Sequence, residues 1–365
     1  MQKKIAILYA REPSGHVSAA RAVQESLAAR GAQAVRVNLS HDLYRLPGRL
    51  TGALYVEMLR YTPFVWELLY DDALVRAFAI PVKKLFFHKS ARKLSALLAE
   101  HGFDAAVCTH SLPCFVLSRA RMDIPVFAVL TDFSAHHFWP EKGVAGYFVH
   151  EESARRDLIS RGIAPERVAA TGIPVRGAYL NAPPRQHALH QLDLDPSLPC
   201  ALLCGGSKGL GHMEEGLAAL GRVPGLQIIA SCGANEPLRK KLSDAARGAR
   251  HIRVLGETDT LDAAMGAADF IAGKTGGITC SEALAMGKPL LIFAPLPGQE
   301  ARNARFLISR GAAFHAANAA QLRDVAEKLT RDAAYRGGIL PAMSALARPR
   351  AADEIAETVL SSLCA

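Results

Sequence analysis

The chain has 365 residues, half of them hydrophobic and 21% charged, with a formal net charge of +9 and a pI near 9.3. That length exceeds one small core and suits two domains of about 150 residues, and the composition excludes a disordered chain. The positive balance points to an anionic partner, which leaves nucleic acid, an anionic membrane surface or a phosphorylated small molecule.

Met1-Gln2-Lys3-Lys4 passes directly into a strand-like run, Ile5–Tyr9, with no signal-peptide profile, and no apolar run approaches the ~20 residues of a membrane span. A cytoplasmic location is expected. After the first strand, Ser14-Gly15-His16 leads into a helix over Ser18–Arg30, which puts His16 at a helix N-terminus where the dipole keeps an imidazole neutral. Such an imidazole can act as general base toward a hydroxyl. Further strands are expected at Val35–Asn38, Ala105–Thr109, Val126–Leu130, Gly146–Val149 and Val168–Thr171. Thr131-Asp132-Phe133 ends one of them, so Asp132 is a second candidate base. Asp132 with His136 and His137 has no established metal-ligand spacing, and no metal is expected.

No acidic residue stands between Asp72 and Glu100, where Lys83, Lys84, Lys89, Arg92 and Lys93 interleave with Phe78, Phe86 and Phe87. Phe64 and Trp66 lie in an apolar aromatic stretch just upstream. A basic, aromatic, amphipathic stretch can lie in an anionic bilayer interface, so Phe64, Trp66, Lys83, Lys84, Phe86, Phe87 and Lys89 are the expected membrane contacts. Nucleic acid attracts the same charge, but no nucleic-acid-binding motif accompanies it, and it is not an expected partner.

In the second half, strands are expected at Ala201–Cys204, Leu226–Ser231, Ile252–Leu255, Phe270–Ala272, Pro289–Phe293 and Ala313–His315. Strands alternating with helices predict an α/β chain of two doubly wound, Rossmann-like domains facing a cleft. The expected division is an N-terminal domain over 1–180, a proline-rich linker over 181–198, a C-terminal domain over 199–345 and a helix over 346–365 able to pack back on the N-terminal domain. Seven cysteines without a CxxC pair, several in strand-like runs, read as reduced core thiols.

Two glycine-rich turns follow strands of the second half. Gly205-Gly206-Ser207-Lys208-Gly209-Leu210-Gly211 can wrap a phosphate or a sugar by close backbone approach. Lys274-Thr275-Gly276-Gly277-Ile278-Thr279 runs into a helix, and backbone N–H groups at a helix start form an anion site suited to a diphosphate. Glu282, one turn into that helix, can reach a neighbouring diol. Pro297-Gly298-Gln299-Glu300 and Asn303 add groups able to bind hydroxyls, so phosphate and hydroxyls side by side suggest a nucleotide sugar. Neither half shows GxGxxG after its first strand, and the first turn lacks the Lys-Ser/Thr of a P-loop, which disfavours a dehydrogenase or a P-loop NTPase.

These motifs resemble those of the monogalactosyldiacylglycerol synthases and processive diacylglycerol glucosyltransferases. The resemblance rests on Gly205-Gly206-Ser207, Gly256, Ala267-Ala268-Asp269, Lys274 to Thr279, Ser281-Glu282-Ala283 and Pro297 to Glu300 with Asn303-Ala304. In the first half it rests on Ser14-Gly15-His16, Thr109-His110, Thr131-Asp132-Phe133 and Thr171 to Arg176. It implies an inverting glycosyltransferase of the two-domain B type, acting on a UDP-sugar without cofactor or essential metal. By the same resemblance Thr275 to Thr279 meet the diphosphate, Glu282 the ribose, Gln299, Glu300 and Asn303 the sugar and diphosphate region, and the Gly256 loop the uracil. His16 then deprotonates an acceptor hydroxyl. The implied acceptor is diacylglycerol or a glycosyl-diacylglycerol at the inner face of the cell membrane, where the protein would be peripheral. Two departures stand out: the first loop is reduced to Arg11-Glu12-Pro13-Ser14-Gly15, and Thr275 replaces the proline usual before the paired glycines. A UDP-sugar epimerase or hydrolase of the same fold, and a transferase with a polyprenyl-linked or soluble acceptor, remain the alternatives.

Overall fold

β1 (Lys4–Tyr9) is buried on both faces, with Ile5, Ile7 and Tyr9 in one apolar cluster and Ala6 and Leu8 in another. A strand covered on both sides belongs inside a parallel sheet with helices above and below it. The computed structural model describes residues 2–10, 14–39, 91–118, 120, 122–136, 139 and 142–364, and it has this architecture. All the expected membrane contacts, Phe64 to Lys89, lie outside the described residues.

β1, β2 (Gln33–Asn38), β3 (Ala105–Cys108), β4 (Val126–Val129), β5 (Gly146–Phe148) and β6 (Val168–Ala169) form one parallel sheet in the order β2-β1-β3-β4-β5-β6. Helix α1 (Gly15–Ala29) follows β1, and the short α2 (Ser111–Leu117) follows β3. α1 starts three residues before the expected Ser18, because extended Ser14 serves as N-cap and its carbonyl accepts from Val17 at 3.1 Å. His16 therefore lies inside the first turn.

A second parallel sheet holds β7 (Cys200–Cys204), β8 (Gln227–Ser231), β9 (Ile252–Leu255), β10 (Phe270–Gly273), β11 (Leu290–Phe293) and β12 (Phe314–Ala316) in the order β12-β11-β10-β7-β8-β9. Every strand lies within two residues of its expected bounds. Further helices are α3 (Arg185–Gln191), α4 (Met213–Leu220) after β7, α5 (Gly277–Ala285) after β10, α6 (Gln299–Ser309) after β11 and α7 (Ala351–Ser361).

By contacts the chain divides into two units, Met1–Arg176 with Pro349–Ala365, and Gly177–Arg348. The stretch 181–198 lies in the second unit. Its Pro183-Pro184 pair leads into α3, with Pro184 as the N-cap. Arg185 then bonds the carbonyls of Pro196 and Leu198, both at 2.8 Å, and the Asp269 carboxylate at 2.9 Å. Among the described residues no helix is long and apolar enough to cross a membrane.

α7 completes the first unit: Ile355, Ala356 and Val359 join the cluster built by Ile5, Val23 and Phe148. At its margin Asp353 accepts from Ser26 at 2.6 Å and from Arg30 at 2.8 Å, and Arg30 also reaches Glu357 at 2.6 Å. The Ser26 hydroxyl, then Arg30, holds the Asp353 carboxyl below its ordinary range. A lowered folded-state value favours the native state above the unfolded value of about 3.9. That stabilisation is lost as pH falls through the folded value.

Six cysteines are buried and Cys364 is exposed. Burial pushes the Cys200 thiol up to about 12 and Cys232 to about 11, so both stay protonated at neutral pH. Native protein should give one fast-reacting thiol with Ellman's reagent, and seven after unfolding. Ile355→Ala should cost about 2–5 kcal/mol in urea unfolding. Asp353→Asn, at a partly exposed ion pair, should cost no more than about 1 kcal/mol.

Candidate active site

In the second unit β7 and β10 are neighbours, with Gly273 in register with Cys204, so the turns that follow them start side by side. Gly273 has φ +144, and a Cβ there would stand 2.4 Å from the Cys204 carbonyl oxygen. Only glycine fits so close an approach. Lys274 then lies across the first turn, since a Cβ on Gly206 would meet its Cε at 3.1 Å and Nζ at 3.5 Å. The two glycine-rich turns are thus one structure joined by a lysine.

Gly276 is the N-cap of α5 at φ −64, and a Cβ there would meet no described atom within 4 Å. The N–H groups of Gly277, Ile278 and Thr279 are the first-turn donors that an α-helix cannot satisfy internally, and they carry the positive end of its dipole. An anion can approach them through the open side of Gly276.

α6 holds this turn from behind. Lys274 is salt-bridged to Glu300, with the two side chains only 14% and 13% exposed. The other Glu300 carboxylate oxygen accepts from Leu296 N–H at 3.0 Å. Thr275 donates to the Glu300 carbonyl at 2.6 Å, and the Asn303 amide donates to the Thr275 carbonyl at 2.9 Å. Thr275 and Asn303, two of the expected ligand contacts, are buried, and these two bonds tie the turn to α6. The reason is that a turn leaving the ladder has polar backbone groups that side chains must satisfy. Gln299 opens α6 directly after Gly298, whose φ of +85 requires glycine.

Glu282 is buried on α5, and together with Lys274 it influences the Cys204 thiol at the end of β7. Burial raises that thiol, opposed by hydrogen bonds from the Gly206 backbone and the Thr279 side chain. Thr279 and the Gly206 backbone therefore meet at Cys204, at the end of β7. Ser207 fixes the turn through its carbonyl, which accepts from Ala234 at 2.9 Å. Gly256 follows edge strand β9, two strands from β7, with Arg239 packed against it. Lys274 was legible only as the first residue of a motif; its place between the turns comes from the β7–β10 pairing.

In the first unit the corresponding switch of strand order lies between β1 and β3. His16 Nδ1 stands 2.8 Å from the Thr109 carbonyl after β3 and 3.0 Å from the Thr131 hydroxyl after β4, and Thr109 Oγ1 donates to the His16 carbonyl at 2.9 Å. A carbonyl only accepts, so Nδ1 carries the hydrogen, and the neutral ring has its lone pair on Nε2. Asp132 is half-buried beside Thr131, one residue from this contact. His110, the N-cap of α2, stands edge-on to His16 with ring centroids 4.5 Å apart. Among the described residues no group of three His, Cys, Asp or Glu side chains could hold a metal ion.

A family model for monogalactosyldiacylglycerol (MGDG) synthase matches residues 16–175, and one for the glycosyltransferase family 28 C-terminal domain matches 202–357. The processive diacylglycerol beta-glucosyltransferase of Bacillus subtilis (strain 168) is 30% identical over 318 residues, covering 86% of this chain and 83% of that protein. The chain belongs to the MGDG synthase and processive diacylglycerol glucosyltransferase family. For this family member, S. aureus MnaA solved with UDP is a fold neighbour at TM-score 0.63 and 15% identity, covering 100% of this chain and 97% of that one. Acinetobacter baumannii MurG follows at 0.59 and 18%, covering 98% and 99%. Both likenesses concern the fold, the GT-B pair of Rossmann-like domains.

Gly273 and Gly276, on either side of Lys274 and Thr275, should respond differently to a methyl group. Gly273→Ala should lose more than about 1 kcal/mol in denaturant unfolding, because φ is positive and the Cβ meets a backbone oxygen. Gly276→Ala should stay within about 0.5 kcal/mol of the parent.

Proposed function

We propose that this chain is a UDP-sugar-dependent hexosyltransferase that moves a hexose to the primary hydroxyl of diacylglycerol, or of a glycosyl-diacylglycerol, with inversion at the anomeric carbon. The work is done at the cytoplasmic surface of an anionic membrane. The observation that carries the reading is the pair of switch-point sites: an open helix N-terminus with a lysine beside it in one unit, and an imidazole with its lone pair set on Nε2 in the other. Family membership supports the same chemistry, since the relatives are named for glycosyl transfer to diacylglycerol.

The diphosphate is received at Gly276, Gly277, Ile278 and Thr279, with Gly205, Gly206 and Ser207 on its other side. Glu282 meets the ribose, and Gln299 and Glu300 meet the sugar end. Thr275 and Asn303 hold the turn in place, and the Gly256 loop flanks the uracil. His16 Nε2 removes the proton of the acceptor hydroxyl while its oxygen attacks the anomeric carbon, with Asp132 as the other candidate base. The bond from that carbon to the diphosphate breaks, and UDP leaves with the electron pair. Charge growing on the leaving group is met by the α5 dipole, first-turn N–H groups and the Lys274 ammonium. The net positive charge of +9 favours an anionic surface, to which Phe64, Trp66, Lys83, Lys84, Phe86, Phe87 and Lys89 would bring the protein.

UDP release from a panel of UDP-sugars, with and without liposomes of diacylglycerol and anionic lipid, tests the reading. Release that requires diacylglycerol and yields a glycolipid is expected; equal release or conversion without lipid would replace it with an epimerase or hydrolase. Gly276→Val should weaken UDP binding at least about tenfold, a loss of roughly 1.4 kcal/mol, with unfolding nearly unchanged. His16→Ala should abolish transfer and keep UDP binding.

A further inference from the structure

His110 has no role in the chemistry derived above, yet its ring faces the base. As N-cap of α2, it accepts the Leu112 N–H on Nδ1 at 3.0 Å. A ring nitrogen that accepts a backbone N–H carries no hydrogen, so neutral His110 is protonated on Nε2. His16 has the opposite arrangement, because its Nδ1 donates to the Thr109 carbonyl at 2.8 Å. The backbone thus sets two neighbouring imidazoles in complementary tautomers: Nε2 accepts on His16 and donates on His110. Both rings are half-buried, and their centroids are 4.5 Å apart at an interplanar angle of 68°. The two rings are thus in direct edge-on contact.

An alcohol oxygen is both donor and acceptor, and it matches such a pair. We propose that His110 is the second half of an acceptor clamp, donating from Nε2–H to the same substrate hydroxyl whose proton His16 Nε2 removes. The proposal rests on the transferase reading and adds to it the residue that orients the nucleophile. In the transfer step the hydroxyl proton goes to His16, the oxygen bonds the anomeric carbon, and UDP departs with the electron pair of the broken bond. His110 neither gains nor loses a proton. Its hydrogen bond takes one lone pair of the oxygen, so that another is directed at the sugar. Near-attack alignment of this kind lowers the barrier without changing the chemistry.

The N-cap and the clamp can be separated by substitution. His110→Asn keeps a good N-cap, because the Asn carbonyl accepts the same Leu112 N–H, but it removes the imidazole Nε2–H. His110→Gln reaches further with an amide donor and caps poorly. A merely capping role predicts that Asn is neutral and Gln harmful; the clamp predicts the reverse for acceptor turnover. The experiment measures urea unfolding, UDP binding, binding of dioctanoylglycerol by histidine ring 15N NMR, and kcat/KM for dioctanoylglycerol in the parent and both variants. We expect His110→Asn to keep stability and UDP affinity, to lose the dioctanoylglycerol-induced shift at His16, and to fall at least about tenfold in kcat/KM for lipid, with His110→Gln partly active. The parent spectrum should show His16 protonated on Nδ1 and His110 on Nε2. An Asn variant with parental lipid binding and kcat/KM would overturn the proposal, as would the same tautomer on both rings. A parent that binds UDP but shows no lipid-induced shift would refute the acceptor reading and the clamp together.

Discussion

In a parallel sheet every strand needs a crossover, and the crossover is right-handed, so a reversal in strand order sends consecutive helices to opposite faces. Where that happens the turns diverge at the carboxyl edge, and nothing in the sheet fills the space between them. This constraint acts twice here. Between β7 and β10 it separates the turn at Gly205 from the turn at Gly276, and between β1 and β3 it leaves room above the strands for His16 and His110. The glycine-rich turns, His16 and His110 stand at these two gaps, whereas elsewhere along the edge consecutive turns lie against the same face.

Building such a gap creates a problem of unsatisfied polar groups, and each unit solves it with side chains from a neighbouring turn. In the second unit α6 sends Glu300 and Asn303 under the Thr275 turn, so a segment without ladder bonds is still held rigidly. The Lys274–Glu300 pair is mostly withdrawn from water, where a charge without its partner would be costly. In the first unit Thr109 and Thr131 play the corresponding part, and what they fix is a tautomer. One hydrogen bond to a carbonyl decides which nitrogen of His16 can act as a base.

The rest of each unit keeps these positions stable. β1 is covered on both faces, and α7, the last helix of the chain, supplies Ile355, Ala356 and Val359 to the cover. The thiols beneath the second unit's turns stay protonated through burial, which makes Cys204 and Cys280 packing groups at neutral pH.

Local sequence determined much of this protein. Alternation of short apolar runs with helical patterns marked the described strands, most clearly β1, β3, β4, β7 and β11, which are apolar because both their faces are covered. Paired glycines before Ile278 marked the helix start at Gly277, and Ser14-Gly15 marked the helix start that carries His16. Tertiary structure decided which residues meet. No local signal says that Lys274 crosses Gly206, since that depends on β10 pairing with β7 across a separation of about seventy residues of chain. Thr275 and Asn303 had side chains suited to a ligand, and only packing turned them toward the backbone. Pro183-Pro184 read as a linker because proline both ends and begins regular structure, and the tertiary fold ties the following residue, Arg185, to Pro196, Leu198 and Asp269. The opposite tautomers of His16 and His110 were beyond reach of the sequence for the same reason: a proton's place on an imidazole is set by a partner that the fold delivers.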